Sequence, residues 1–200
     1  MKKELQYFTV DKSYGGNQDW FRDPMMKLGG CAAATVCDTS IYMSLYQDKK
    51  HLYPYDINNL NKADYISFAA KMKPYLKPRW KGINTLNIYI DGINQYLSDT
   101  GEKAIKVSGL SGDMPYEQAA SLLCKQIDKE MPVPYLLLKH KASSMSFFVW
   151  HWFLLVGYET DGDEIRVKAA TYGNYHWLSL RELWETGYQE KGGMIILAPK

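Results

Sequence analysis

Three cysteines in 200 residues are too few, and of the wrong parity, to form a disulfide framework, so a packed core has to hold the fold. Cys31 and Cys37 stand six positions apart, about 240° round a helix, and do not bridge readily. Cys37 and Cys124 read as core residues. The chain has no Cys-x-x-Cys pair and no close pair among its four histidines, so nothing implies a metal or another cofactor. Charge of one sign is scarce as well. Lys and Arg number 24 against 22 Asp and Glu, a net charge of +2 with no long basic run, which argues against a nucleic-acid partner. The longest apolar stretch, Phe147 to Tyr158, contains His151 and is too short to span a bilayer. Met1-Lys2-Lys3-Glu4-Leu5-Gln6 is not followed by the apolar core of a signal peptide. The chain as given therefore reads as soluble and cytoplasmic, unless a leader was removed beforehand. No internal repeat or low-complexity segment occurs.

What is present is globular in character. The length suits one domain, and 46% hydrophobic residues suffice for a sizeable core. Sixteen tyrosines and six tryptophans have two readings. They pack a core, or they furnish a cleft whose amphipathic rings hold an extended peptide or a sugar. Composition does not choose between them.

Turn signals at Ser13-Tyr14-Gly15-Gly16-Asn17 and Asp23-Pro24 make residues 1–30 an irregular entrance. Helices are expected over 31–46, over 62–72 with Pro74 and Pro78 beyond it, and over 84–98, where Leu86, Ile90, Ile93 and Leu97 recur at helical spacing. Asp113 as N-cap and Pro115 in the first turn start another helix, carrying Ala119, Leu123 and Ile127 on one face. The period then changes. Strands are expected at Val133–Leu138, Trp150–Tyr158, Ile165–Ala169, Tyr175–Leu178 and Met194–Leu197, with a short helix around Ser179–Glu185. Helices first and antiparallel strands last is the α+β pattern. It divides one 1–200 domain into a mainly helical part, 31–130, and a mainly sheet part, 131–200.

Chemistry concentrates at two points. Cys31 follows Gly29-Gly30 at the head of an apolar helix, and His151 opens a buried strand 120 residues later. A cysteine nucleophile attacks as its thiolate. A helix N-terminus favours that anion through its unpaired N–H groups and dipole, and an imidazole in reach adds a base. The other reading makes Cys31 a small apolar residue in a buried Ala-rich helix. His140 reads as a loop residue, His176 as structural or surface, and His51 has no supporting context. Asp19 and Asp23 are either cleft-lining or solvated loop carboxylates. Ser143 and Ser144 lack a nucleophile-elbow pattern.

The order of these parts resembles the papain-like cysteine peptidases, closest to the group of bacterial double-glycine leader peptidases of bacteriocin transporters and their free-standing relatives. The likeness runs through Asn17-Gln18-Asp19-Trp20, Gly29-Gly30-Cys31, a helical lobe, the strand after Met131-Pro132-Val133-Pro134, His151-Trp152 leading to Val156-Gly157-Tyr158, and Ser179-Leu180-Arg181-Glu182-Leu183. It implies an N-terminal helical lobe whose nucleophile helix packs on a C-terminal antiparallel sheet, with a peptide or protein substrate in the cleft between. It further implies Cys31 as nucleophile, His151 as base and Gln18 as oxyanion donor, with Asn17 an equally placed amide. The family's orienting Asp or Asn falls where this chain has Ala170 and Thr171. Thr171 matches by position, whereas Asn174 carries the usual amide and follows Gly173, which allows a bend. The activity so implied is amide hydrolysis, or related amidase or acyl transfer, through a thioester. The alternative is a papain-like module that binds peptides without catalysis. It rests on the missing carboxylate or amide, on Gln18 lying 13 residues ahead of Cys31, and on Ala32-Ala33-Ala34 after the cysteine.

Overall fold

The computed structural model describes residues 1–200. In chain order the elements are β1 (Lys2–Glu4), β2 (Thr9–Val10), β3 (Ser13–Tyr14), α1 (Pro24–Gly29), α2 (Cys31–Tyr46), α3 (Lys62–Met72), α4 (Leu86–Asp99), β4 (Ile105–Ser111), α5 (Tyr116–Asp128), β5 (Val133–Leu137), β6 (His151–Asp161), β7 (Glu164–Thr171), β8 (Asn174–Ser179), α6 (Leu180–Trp184) and β9 (Gly193–Pro199). Together they make a mixed α+β fold around an antiparallel sheet ordered β4-β9-β5-β6-β7-β8, with β1 also on β6. No helix is long and apolar enough to cross a membrane.

The strand β6 organises the sheet. Its first eight residues, His151 to Tyr158, are all buried, because both faces are covered. β5 pairs with residues 151–155 of β6 and β1 with residues 157–159, so the two share one side of it. β7 holds the other side. Helix α2 packs on β6 and is buried on nearly every side. Its polar residues stay satisfied within that packing: the Thr39 and Ser44 hydroxyls donate to Thr35 O and Ser40 O at 2.7 and 2.8 Å.

Three departures from the sequence expectation have local causes. The stretch 1–30 is structured: β1 joins the main sheet, β2 and β3 form a small hairpin, and Asp23 caps α1 by accepting from Met26 N–H at 3.0 Å. Strand β4 lies inside the part expected to be mainly helical and runs antiparallel to β9. Its alternation is short, with Ile105 and Val107 inward and Lys106 and Ser108 outward, before Gly109 interrupts it. The N-cap of α5 is Pro115 rather than Asp113, whose carboxylate accepts from the Ser111 hydroxyl instead.

The tyrosines serve mainly the core. Tyr42, Tyr96 and Tyr135 are buried with their hydroxyls donating to Glu130 O, Leu52 O and Leu183 O at 2.7–2.9 Å.

Candidate active site

Cys31 and His151 line one cleft of about 670 Å³. Both positions follow from local structure. Cys31 is the first residue of α2, with Gly30 as its N-cap. A Cβ at Gly30 would stand 2.3 Å from Met26 O, a backbone atom that cannot yield, whereas one at Gly29 would meet nothing nearer than 3.6 Å. Gly30 is therefore required by close approach rather than by an unusual dihedral, its φ being −89°. Gly30→Ala is expected to cost about 1–3 kcal/mol and lower the melting temperature by several degrees, with Gly29→Ala near neutral. Equal melting temperatures for the two variants in calorimetry would refute the steric account.

His151 begins β6 opposite Leu137 of β5. Ala170 pairs with Leu154, which puts Thr171 across from Phe153 and on the face His151 shares. The ring is held accordingly: His151 Nε2 lies 2.7 Å from Thr171 Oγ1. The Tyr172 ring stacks on it, 4.9 Å between centroids and 9° from parallel. Tyr172 and Gly173, at φ of 50° and 73°, form the two-residue turn between β7 and β8. That turn sends Asn174 up β8 opposite Thr171, exposed, with its side-chain oxygen accepting from Tyr175 N–H at 2.8 Å. The bend at Gly173 thus exists but carries Asn174 away from the imidazole. Of the two expected orienters, Thr171 touches the ring.

Gln18 reaches the cleft wall because α1 folds the intervening chain back. Its amide Nε2 donates to Lys27 O at 2.8 Å and, more weakly, to Met26 O at 3.4 Å, closing the end of α1. Asn17 is occupied elsewhere, accepting from Asp19 N–H at 2.8 Å and donating to Tyr172 O at 3.0 Å. Asp23, beyond its capping role, pairs with Lys73. The other histidines have partners of their own: His140 meets Glu182 O at 2.8 Å, His51 meets Glu102 at 3.1 Å, and His176 packs edge-on against Phe148.

The electrostatics differ from the sequence expectation of a thiolate. Burial pushes the Cys31 thiol up, and the N–H groups of Trp152, Ala32 and Cys31 itself, which face the sulfur, offset this only in part. Burial also pushes His151 down to about 4. Desolvation outweighs the helix terminus, so the Cys31 thiol and the His151 imidazole of this cleft both rest neutral. Behind it a chamber of about 20 Å³ is shared by Cys31, His151, Thr171 and Asp38. Asp38 is buried on α2 and accepts hydrogen bonds from Tyr7, Tyr65 and Gly16 N–H, yet burial dominates and pushes its carboxyl up to about 6. Tyr172 stands next to Thr171 in sequence and its hydroxyl falls at about the right point, but its stacking on the ring was not legible, and neither was Asp38 as a neighbour of the site. Asp38 does lie seven residues after Cys31, about two helical turns on and hence on the same side.

The chain matches no family model, and no curated protein sequence matches it. Among solved structures it is similar to the Pseudomonas avirulence protein AvrPphB, at 10% identity and a TM-score of 0.38, over 94% of this chain and 97% of that one. At that score the likeness carries no argument about activity.

Proposed function

We propose that the protein is a papain-like cysteine peptidase, or a closely related amide hydrolase, acting on peptides with Cys31 as nucleophile and His151 as base. The observation that carries this reading is the meeting of Cys31 and His151 in one cleft, with the imidazole held from behind by Thr171 at 2.7 Å. The order of Gly-Gly-Cys, helices, and His-Trp opening a strand supports it independently.

In this mechanism the tautomer with Nε2–H donating to Thr171 leaves Nδ1 free to take a proton. Because the resting pair is neutral, the thiol proton passes to Nδ1 as the sulfur attacks the substrate carbonyl. The N–H groups at the start of α2 are the candidate donors to the oxyanion, and the Gln18 amide joins them by giving up its weaker, 3.4 Å bond to Met26 O. The imidazolium returns the proton to the departing amine, leaving a thioester on Cys31. Water, deprotonated by His151, then releases the acid and restores the thiol. Thr171 offers the imidazolium a dipole but no negative charge, which makes this a weaker arrangement than one with a carboxylate.

A second reading, a peptide-binding module of the same architecture without catalysis, draws on the upward shift of the Cys31 thiol and the downward shift of His151. A peptide library derived from a proteome digest, with new N-termini identified by mass spectrometry, separates the two. The peptidase reading expects cleavage that disappears once iodoacetamide has modified Cys31, which should react ahead of Cys37, fully buried in the core. Cleavage that survives Cys31 modification would refute Cys31 as the nucleophile, and no cleavage by a protein that still binds library peptides would decide for the module.

A further inference from the structure

The walls of the cleft carry features that the proposed chemistry does not use. Trp80 is 88% exposed and Trp150 48% exposed, and both line the cleft that holds Cys31 and His151. Exposing two indoles beside a reactive pair leaves apolar area that a ligand would cover. Trp150 also has φ of 54°, an uncommon backbone conformation for a bulky residue, while its N–H donates to Leu138 O at 3.1 Å. The strain places its side chain immediately ahead of His151, at the mouth of the site.

Charge on these walls is one-sided. Arg79, Lys81 and Lys139 line the cleft against a single acid, Glu190, and Arg79 also borders a second groove with Asp91. Glu190 is engaged by Lys139, whose ammonium also lies 6.0 Å from the Trp150 ring centre. Arg79 and Lys81 are exposed and form no ion pair within the chain, so two cations remain unmatched. Their loop is held in place at both ends. Pro78 and Ile83 are buried, and Trp152 Nε1 donates to Ile83 O at 2.6 Å, which ties the loop to β6 beside His151. Between these anchors the loop carries Arg79, Trp80 and Lys81 along one wall of the cleft, with a cation on either side of an indole in sequence.

We infer that this wall selects the ligand, and that the cleft takes peptides bearing a carboxylate next to an aromatic or large apolar side chain, with Arg79 and Lys81 receiving the carboxylate and Trp80 and Trp150 covering the apolar group. This rests on the peptide-cleft reading above and names its substrate class. The carboxylate comes either from an acidic side chain within the peptide or from a C-terminal chain end, and Arg suits either through a paired hydrogen-bond geometry.

The test is binding to the full-length Cys31→Ala protein, read by tryptophan fluorescence and calorimetry, so that it does not depend on catalysis. Four acetylated pentapeptides are compared: Ala-Phe-Glu-Phe-Ala amide, the same peptide with Gln for Glu, Ala-Phe-Ala-Phe-Ala with a free carboxylate, and its amide. We expect at least one carboxylate peptide to bind about fivefold or more tighter than its neutral counterpart, in line with one or two partly exposed ion pairs, and less so at high salt. Preference for the Glu peptide assigns an internal acidic residue, and preference for the free acid assigns a chain end. The double variant Arg79→Glu, Lys81→Glu should abolish or reverse the ranking, and a circular-dichroism melt checks that it folds. Equal affinities for charged and neutral peptides, no binding by any of the four, or a ranking unchanged in the folded double variant would overturn the inference. Binding with the expected ranking by a protein that cleaves nothing would leave it standing and overturn the peptidase reading alone.

Discussion

Replacing Cys31 with alanine is expected to lower kcat/KM on the best-cleaved library peptide by at least about 10³-fold, because the sulfur forms the bond to the acyl group and no other positioned nucleophile is available. Cys37 is fully buried, and the Ser144 hydroxyl is engaged by Glu182 at 2.8 Å. His151→Ala should approach the same loss. Thr171→Val, which keeps shape but removes the acceptor, should cost about tenfold, the lower end for a positioned catalytic contact. Asn174→Ala should stay within about twofold, since that amide bonds its own strand. Thr171 acts through His151 and is a positioning residue, so Thr171→Asn should recover part of what Thr171→Val loses. The assignment fails if Cys31→Ala keeps a tenth or more of the activity. The orienter fails if Thr171→Val and Asn174→Ala are indistinguishable.

The second large effect is on stability as pH changes, where His151 and Asp38 act in opposite directions. His151 titrates near 6.5 when unfolded and at about 4 when folded. Between these values the unfolded chain binds the extra proton, so stability from this group is complete above pH 6.5 and is lost as pH falls towards 4. Asp38 titrates near 3.8 unfolded and about 6 folded. Here the folded chain binds the extra proton, so stability from this group is complete below pH 3.8 and is lost as pH rises through 6. Each swing amounts to on the order of 3 kcal/mol, and over the shared window the two nearly cancel. Substitution should uncover them singly. Relative to the native chain, His151→Gln should gain on the order of 3 kcal/mol of unfolding free energy as pH drops from about 7 to 4, and Asp38→Asn should gain a similar amount as pH rises over the same range. Urea unfolding at several pH values measures both. Profiles parallel to that of the native chain would mean that neither group is desolvated as the structure has it. His151 is itself buried and stacked on Tyr172, so His151→Ala is also expected to lose some packing.

Most of the regular elements were legible because their side-chain period is local. Helices α2 and α3 fall on 31–46 and 62–72 as their apolar spacing and the following prolines indicate, and β5 to β9 follow the change of period after Pro132. Strand β4 was not legible, since its pairing with β9 joins residues some 90 positions apart in a segment whose own alternation is short. Strand β1 was hidden for the same reason: it contributes three residues, and only the far end of β6 gives them a partner.

At the candidate site, the sequence by itself determined which groups have the chemistry: a cysteine behind two glycines at a helix start, a histidine opening a buried strand, and a short list of polar residues for the supporting positions. The geometry among them belonged to the tertiary structure. Strand pairing and a two-residue turn chose Thr171 over Asn174 as the ring's neighbour, because a side chain's face is set by register. Burial decided the charge state, because desolvation depends on what the whole fold stacks over a group, and at Cys31 it outweighs the helix terminus that the local sequence supplies. The aromatic and basic wall of the cleft was likewise decided there, by the packing that brings Arg79–Lys81 beside Trp150, some 70 residues away along the chain.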